Sequence, residues 1–148
     1  MREENRMYLH LRRWGTALAG TALAASLIMT DMPPASADPR YRLVLVSLSC
    51  GATEDWLGPD EAYLKVNGFT VWGPWPMKFG DAAQINRSIP FSTAGEIRLY
   101  DQDIGLFDPD DLLGVVTATP SEANQGERHA VFRKDGALYA IRYKVVPF

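Results

Sequence analysis

Glu61-Ala-Tyr-Leu-Lys-Val-Asn-Gly-Phe-Thr-Val-Trp72 is the stretch that decides how this chain folds. Two runs of strand-forming residues flank Asn67-Gly68, the preferred pair for a two-residue type I′ turn, so the segment is expected to be a β-hairpin. The same pattern continues outward. Residues 41–50, Tyr-Arg-Leu-Val-Leu-Val-Ser-Leu-Ser-Cys, form an apolar, β-branched run. Gln84–Phe91 is a weaker strand that Pro90 moves toward a sheet edge. Glu96–Tyr100 alternates Ile97 and Leu99 with Glu96 and Arg98, and residues 112–119 follow. Glu127–Arg133 and Ala137–Val146 are joined at Lys134-Asp135-Gly136, a second hairpin signature. In the last strand Tyr139, Ile141, Tyr143 and Val145 share one face. Gly73-Pro-Trp-Pro76 is expected to be irregular, because two prolines do not suit a central strand, and Pro120–Gly126 reads as a polar loop. About eight short strands without a helical period predict an all-β, eight-stranded antiparallel β-sandwich.

The first 37 residues read as a secretory signal. Arg2, Arg6, Arg12 and Arg13 make a basic start, Thr16–Met29 is apolar, and Pro33-Pro-Ala-Ser-Ala37 offers an Ala-x-Ala cleavage site. The apolar run is shorter than the ~20 residues that cross a bilayer. The expectation is a signal peptide over 1–37, cleavage after Ala37, and a secreted domain over 38–148. That domain would keep 11 basic and 15 acidic residues, a net charge of −4. Mild acidity without a Lys/Arg cluster argues against nucleic acid as a partner. Cys50 is the one cysteine, so an internal disulfide is excluded and the residue is expected to be a small buried hydrophobe.

Between Tyr100 and Leu112 the sequence runs Asp101-Gln-Asp103-Ile-Gly-Leu-Phe-Asp108-Pro-Asp110-Asp111, five carboxylates on one inter-strand loop. Such crowding is tolerated when every group is solvated or when a cation sits among them. Oxygen-only donors on a loop suit a hard cation, calcium above all. The alternative reading is a set of solvated turn acids, for which Asp is common.

Asp-x-Asp at 101–103, followed by Asp111 three residues before Gly114, resembles the third loop of the C2 domains of protein kinase C and synaptotagmin. Glu61-Ala-Tyr-Leu-Lys-Val66 is similar to the strand that opens after that family's first loop, and Asp55 stands six residues earlier. The similarity spans roughly Tyr41 to Thr119. It implies an eight-stranded sandwich with calcium held between loops by Asp55, Glu61, Asp101, Asp103 and Asp111, with Asp108 or Asp110 as replacement or supplement. The chain departs from the family in having Glu61 for the usual Asp, without the Asp-Pro dipeptide at that point, a third loop two residues longer, and no Asn-Pro-x-Trp segment. With no strand ahead of Tyr41, the resemblance implies the circularly permuted topology, in which residues 137–146 take the place of a first strand. Many C2 domains dock on membranes, and Trp56, Leu57, Ile104, Leu106 and Phe107 would be the contacting loop tips. The alternative is that these side chains fold back over the sandwich end.

Catalytic constellations are missing from the sequence. His129 is the one histidine outside the leader, and no Gly-x-Ser-x-Gly or His-Glu-x-x-His motif occurs. The expected function is a monomeric, secreted, non-catalytic calcium-binding domain that bridges to phospholipid or another anionic partner. Its rival is a metal-independent secreted module that binds or inhibits a protein, using the same loops or the aromatic-rich Phe69–Phe79 segment. Core packing is the expected role of most of those aromatics.

Overall fold

The Asn67-Gly68 turn forms as expected, with φ of 49° and 86° at its two residues, values an asparagine and a glycine reach at little cost. It joins two of the eight strands in the computed structural model, which describes residues 38–54, 58–103 and 109–148. The strands are β1 (Tyr41–Ala52), β2 (Asp60–Val66), β3 (Phe69–Met77), β4 (Ala82–Phe91), β5 (Gly95–Asp101), β6 (Asp111–Ala118), β7 (Glu127–Lys134) and β8 (Ala137–Pro147). A short 3-10 helix, Pro120–Glu122, interrupts the expected polar loop. The chain divides between Pro34 and Ala35, and every described residue lies in the second unit.

Two four-stranded antiparallel sheets result, in the orders β4-β1-β8-β7 and β3-β2-β5-β6. β8 pairs with β1 along most of its length, from Tyr41 opposite Pro147 to Ala52 opposite Leu138, and with β7 on its other side. The last strand therefore occupies the centre of the first sheet, as the permuted topology requires. Period-two alternation fills the space between the sheets. Leu43, Leu45 and Leu48 of β1, Leu64 of β2, Leu99 of β5 and Ile141 of β8 are all fully buried. Each such side chain contributes on the order of 1.5–3 kcal/mol relative to exposure. Cys50 is buried among them, as expected, and burial pushes its thiol pKa up.

Residues 73–76 are irregular in pairing, as expected, because the register with β2 shifts at Gly73 and Pro74, but they do not interrupt the strand. β3 runs unbroken through Gly73, Pro74, Trp75 and Pro76 to Met77. The prolines are accommodated because β3 is an edge strand, paired only with β2. Gly73 adopts φ 80°, and its Cα passes so close to β2 that a Cβ would lie 2.4 Å from the Ala62 carbonyl oxygen. The aromatics of this segment also differ from expectation. Met77 is buried and Trp72 packs partly against the core, but Phe69, Trp75 and Phe79 are 77%, 58% and 78% exposed.

Candidate metal centre

One end of the sandwich gathers the finish of β1, the start of β2, the β3–β4 turn, the finish of β5, the start of β6 and the β7–β8 turn. Carboxylates accumulate there because strand termini fall on acidic residues: Asp60 opens β2, Asp101 closes β5 and Asp111 opens β6. Asp101 is in register with Ala62 on one side and with Asp111 on the other.

Asp60 is completely buried, and protein donors surround it. Its two carboxylate oxygens accept from the Glu54 backbone N–H at 3.2 Å each, and Oδ2 also accepts from the Tyr139 hydroxyl at 2.7 Å. Tyr139 belongs to β8 of the opposite sheet, so this bond ties the two sheets together beneath the acidic end. The Tyr139 hydroxyl in turn meets the Cys50 thiol, and burial followed by the Asp60 bond raises the tyrosine pKa strongly. Asp101 is 4% exposed and receives the Glu61 backbone N–H on Oδ1 at 2.5 Å. Burial, then the charge of Asp60, with Glu61 and Asp103 adding to it, pushes Asp101 up to about 6. Glu54 is pushed up to about 7, first by burial and then by Asp111, Asp135, Asp101 and Asp60. These carboxylates from both sheets repel one another. Lys134, the basic side chain on the β7–β8 turn, is engaged with Asp135 at 2.5 Å.

At the foot of the β5–β6 loop, Asp110 accepts a 2.6 Å hydrogen bond from the Tyr63 hydroxyl. Tyr63 stacks on Tyr100 with ring centroids 5.1 Å apart, and Lys65 caps the pair at 5.4 and 5.0 Å from the two rings. This fastens one end of the acidic loop to the outer face of the second sheet.

No family model and no curated protein matches the sequence. Solved structures do resemble the fold. A structure described as that of a C2 domain is 18% identical, with 72% of this chain and 97% of that one covered and a TM-score of 0.47. A calcium-bound structure of two C2 domains of Extended-Synaptotagmin 2 is 16% identical over 73% of this chain and 45% of that one, at a TM-score of 0.49. Human GIVD cytosolic phospholipase A2 is 15% identical over 75% of this chain and 17% of that one, at 0.48. The likeness is one of fold, and the chain spans under half the length of the last two.

At the acidic end, the structure brings Asp101, Asp103, Asp111 and Glu61 to the same rim, with Asp110 held by Tyr63. Glu61 meets Asp101 through its backbone, and the carboxylate turned into the sandwich is that of its neighbour, Asp60. Asp55, Asp108, Trp56, Leu57, Ile104, Leu106 and Phe107 lie outside the described residues. Three participants escape the sequence reading: Asp60, Glu54 and Tyr139. Asp60 was legible in principle, since positions 60, 62, 64 and 66 share one face of β2 and the other three are apolar. Tyr139 lies on the inward face by its alternation, and a hydroxyl there requires a partner.

The donor set is all oxygen, which fits a hard cation such as calcium. Among the described residues, no group of three or more carboxylates, histidines or cysteines is already arranged to hold one metal ion. Asp60, with its oxygens engaged by Glu54 and Tyr139, serves as the floor of the rim. Asp101, Asp103 and Asp111 are the remaining described carboxylates of the expected set at this rim, and Asp101 Oδ1 accepts from the Glu61 N–H.

Proposed function

We propose that the protein is an exported, non-catalytic, calcium-binding β-sandwich whose acidic end joins a cation to phospholipid or another anionic partner. The observation that carries this reading is the gathering of Glu54, Asp60, Asp101 and Asp111 at one end of the sandwich, with Asp101 pushed up to about 6 and Glu54 up to about 7. Both arise from burial together with neighbouring negative charge, which is the electrostatic condition a divalent cation relieves. The sequence adds the spacing of Asp55, Glu61, Asp101, Asp103 and Asp111. Bound calcium would neutralise the rim and order the two loops. With anionic ligands on the far side of the ion, it would also give an acidic protein a reason to sit on an acidic surface.

Thermal unfolding in EDTA, in millimolar calcium and in millimolar magnesium tests the reading. A cation that binds only the folded state stabilises it by about 2.7 kcal/mol at a hundredfold excess over Kd. For a domain of this size that is a rise in Tm of roughly 10 °C, with magnesium giving much less because it gives up its water shell reluctantly. Asp101→Asn with Asp103→Asn should abolish the response and raise Tm in EDTA, since repulsion is relieved. A double variant that still responds to calcium like the parent protein would sink the assignment.

A further inference from the structure

Trp72 and Trp75 are three residues apart, and in a regular strand they would face opposite sides of the sheet. β3 is not regular. Its pairing with β2 shifts between Ala62–Trp75 and Leu64–Trp72, so Tyr63 alone spans both Gly73 and Pro74. This bulge adds one residue to β3 and turns both indoles toward the same cleft. The cleft has a volume of about 240 Å³ and is lined by Trp72, Trp75, Ala82, Ala83 and Gln84. It lies between β3 and β4, the edge strands of the two sheets on this side. Trp75 keeps 58% of its surface in water, an unfavourable arrangement that core packing does not explain.

We infer that this cleft is a binding site for a neutral saccharide. The lining joins two flat aromatic faces, a methyl floor from Ala82 and Ala83, and the amide of Gln84, which both donates and accepts. A pyranose ring has the matching chemistry: an apolar C–H face to stack on indole, and hydroxyls that pair with an amide and with the free main-chain groups of two sheet edges. Charge complementarity points the same way, because none of the five lining residues is ionisable and an anionic or cationic ligand would find no counter-charge. An added peptide strand is disfavoured. Pro74 and Pro76 remove two N–H donors from β3, while Asn86, at φ 49°, breaks the regularity of β4. The cleft opens beside the acidic rim but shares no lining residue with it, and saccharide binding there would need no cation.

Isothermal titration of the purified protein with a panel of neutral hexasaccharides (cello-, xylo-, manno-, malto-, laminari- and chito-oligosaccharide) provides the test. The expected result is saturable binding of at least one member, unchanged by EDTA. Trp75→Ala should weaken it by about tenfold, the order expected for one lost ring face. Gln84→Ala, at an exposed position, should weaken the same ligand while leaving Tm unaltered. Failure of the whole panel to bind at millimolar concentration, or binding by Trp75→Ala that equals the parent's, would overturn the proposal. Binding lost in EDTA would also overturn it, by moving the ligand to the acidic rim.

Discussion

Asp60 and Asp101 are two buried carboxylates with different surroundings. Asp60 receives the Glu54 N–H and the Tyr139 hydroxyl, so its negative charge has donors directed at it. Asp101 has the Glu61 N–H but faces Asp60, Glu61 and Asp103, and it is held up to about 6 from 3.8. Glu54 is raised to about 7 from 4.5 by burial and a similar ring of charges. For both groups the folded-state pKa exceeds the unfolded one, so folding takes up protons between about pH 4 and pH 7. Their contribution is fully present below about pH 4 and disappears as pH rises through 6 and 7, with Asp101 accounting for on the order of 3 kcal/mol. In EDTA, urea midpoints should therefore fall between about pH 5 and pH 8, and calcium should flatten that fall. A midpoint that climbs across this range in EDTA would show that the two acids are not destabilised as described.

At the level of the strand, two contacts carry most of what the sequence concealed. The first is the bond from Tyr139 of β8 to Asp60 of β2, which crosses from one sheet to the other. Tyr139→Phe keeps the ring but leaves a buried carboxylate short of a donor. It should cost about 1–3 kcal/mol in chemical denaturation, and a loss within error of zero would show that the tie is dispensable. The second is the close approach of β3 to β2 at Gly73. Any side chain there meets the Ala62 carbonyl and the Tyr63 backbone, at a φ of 80° that suits glycine. Gly73→Ala should lose more than about 3 kcal/mol, since both strain and backbone overlap must be relieved. Normal stability in that variant would contradict the crossing. The Asn67-Gly68 turn and the alternation of β1, β5 and β8 were legible because a local rule governs each of them. The course of 73–76 was not, because proline's exclusion from sheets holds only for strands paired on both sides, and sequence alone does not say which strands are edges. The acidic rim was legible as a cluster, yet not in its division of labour, since which carboxylate is buried depends on a partner in the other sheet.

On the scale of the molecule, charge is strongly segregated. Glu54, Asp60, Glu61, Asp101, Asp103, Asp110, Asp111 and Asp135 all fall at or beside the termini of strands on one end. Export is the matching expectation for the whole chain, because extracellular calcium reaches the range of weak, exposed sites. Protein recovered from the medium of an expressing culture should begin at Asp38 by N-terminal sequencing, and material retaining Met1–Ala37 would refute the proposed processing. The strand order has a further consequence, one of timing. Ser49 and Ala140 meet across the central pair of the first sheet although 91 residues separate them. A ribosome delivers β1 before the other strands and β8 after them, so the middle of that sheet stays open until the seven preceding strands have been made. Until then β1 is paired on one side only, with β4. Such late, long-range closure makes for slow folding and a long exposed interval. Under the proposed export, such a chain would reach a translocation channel still unfolded and close its sandwich on the other side.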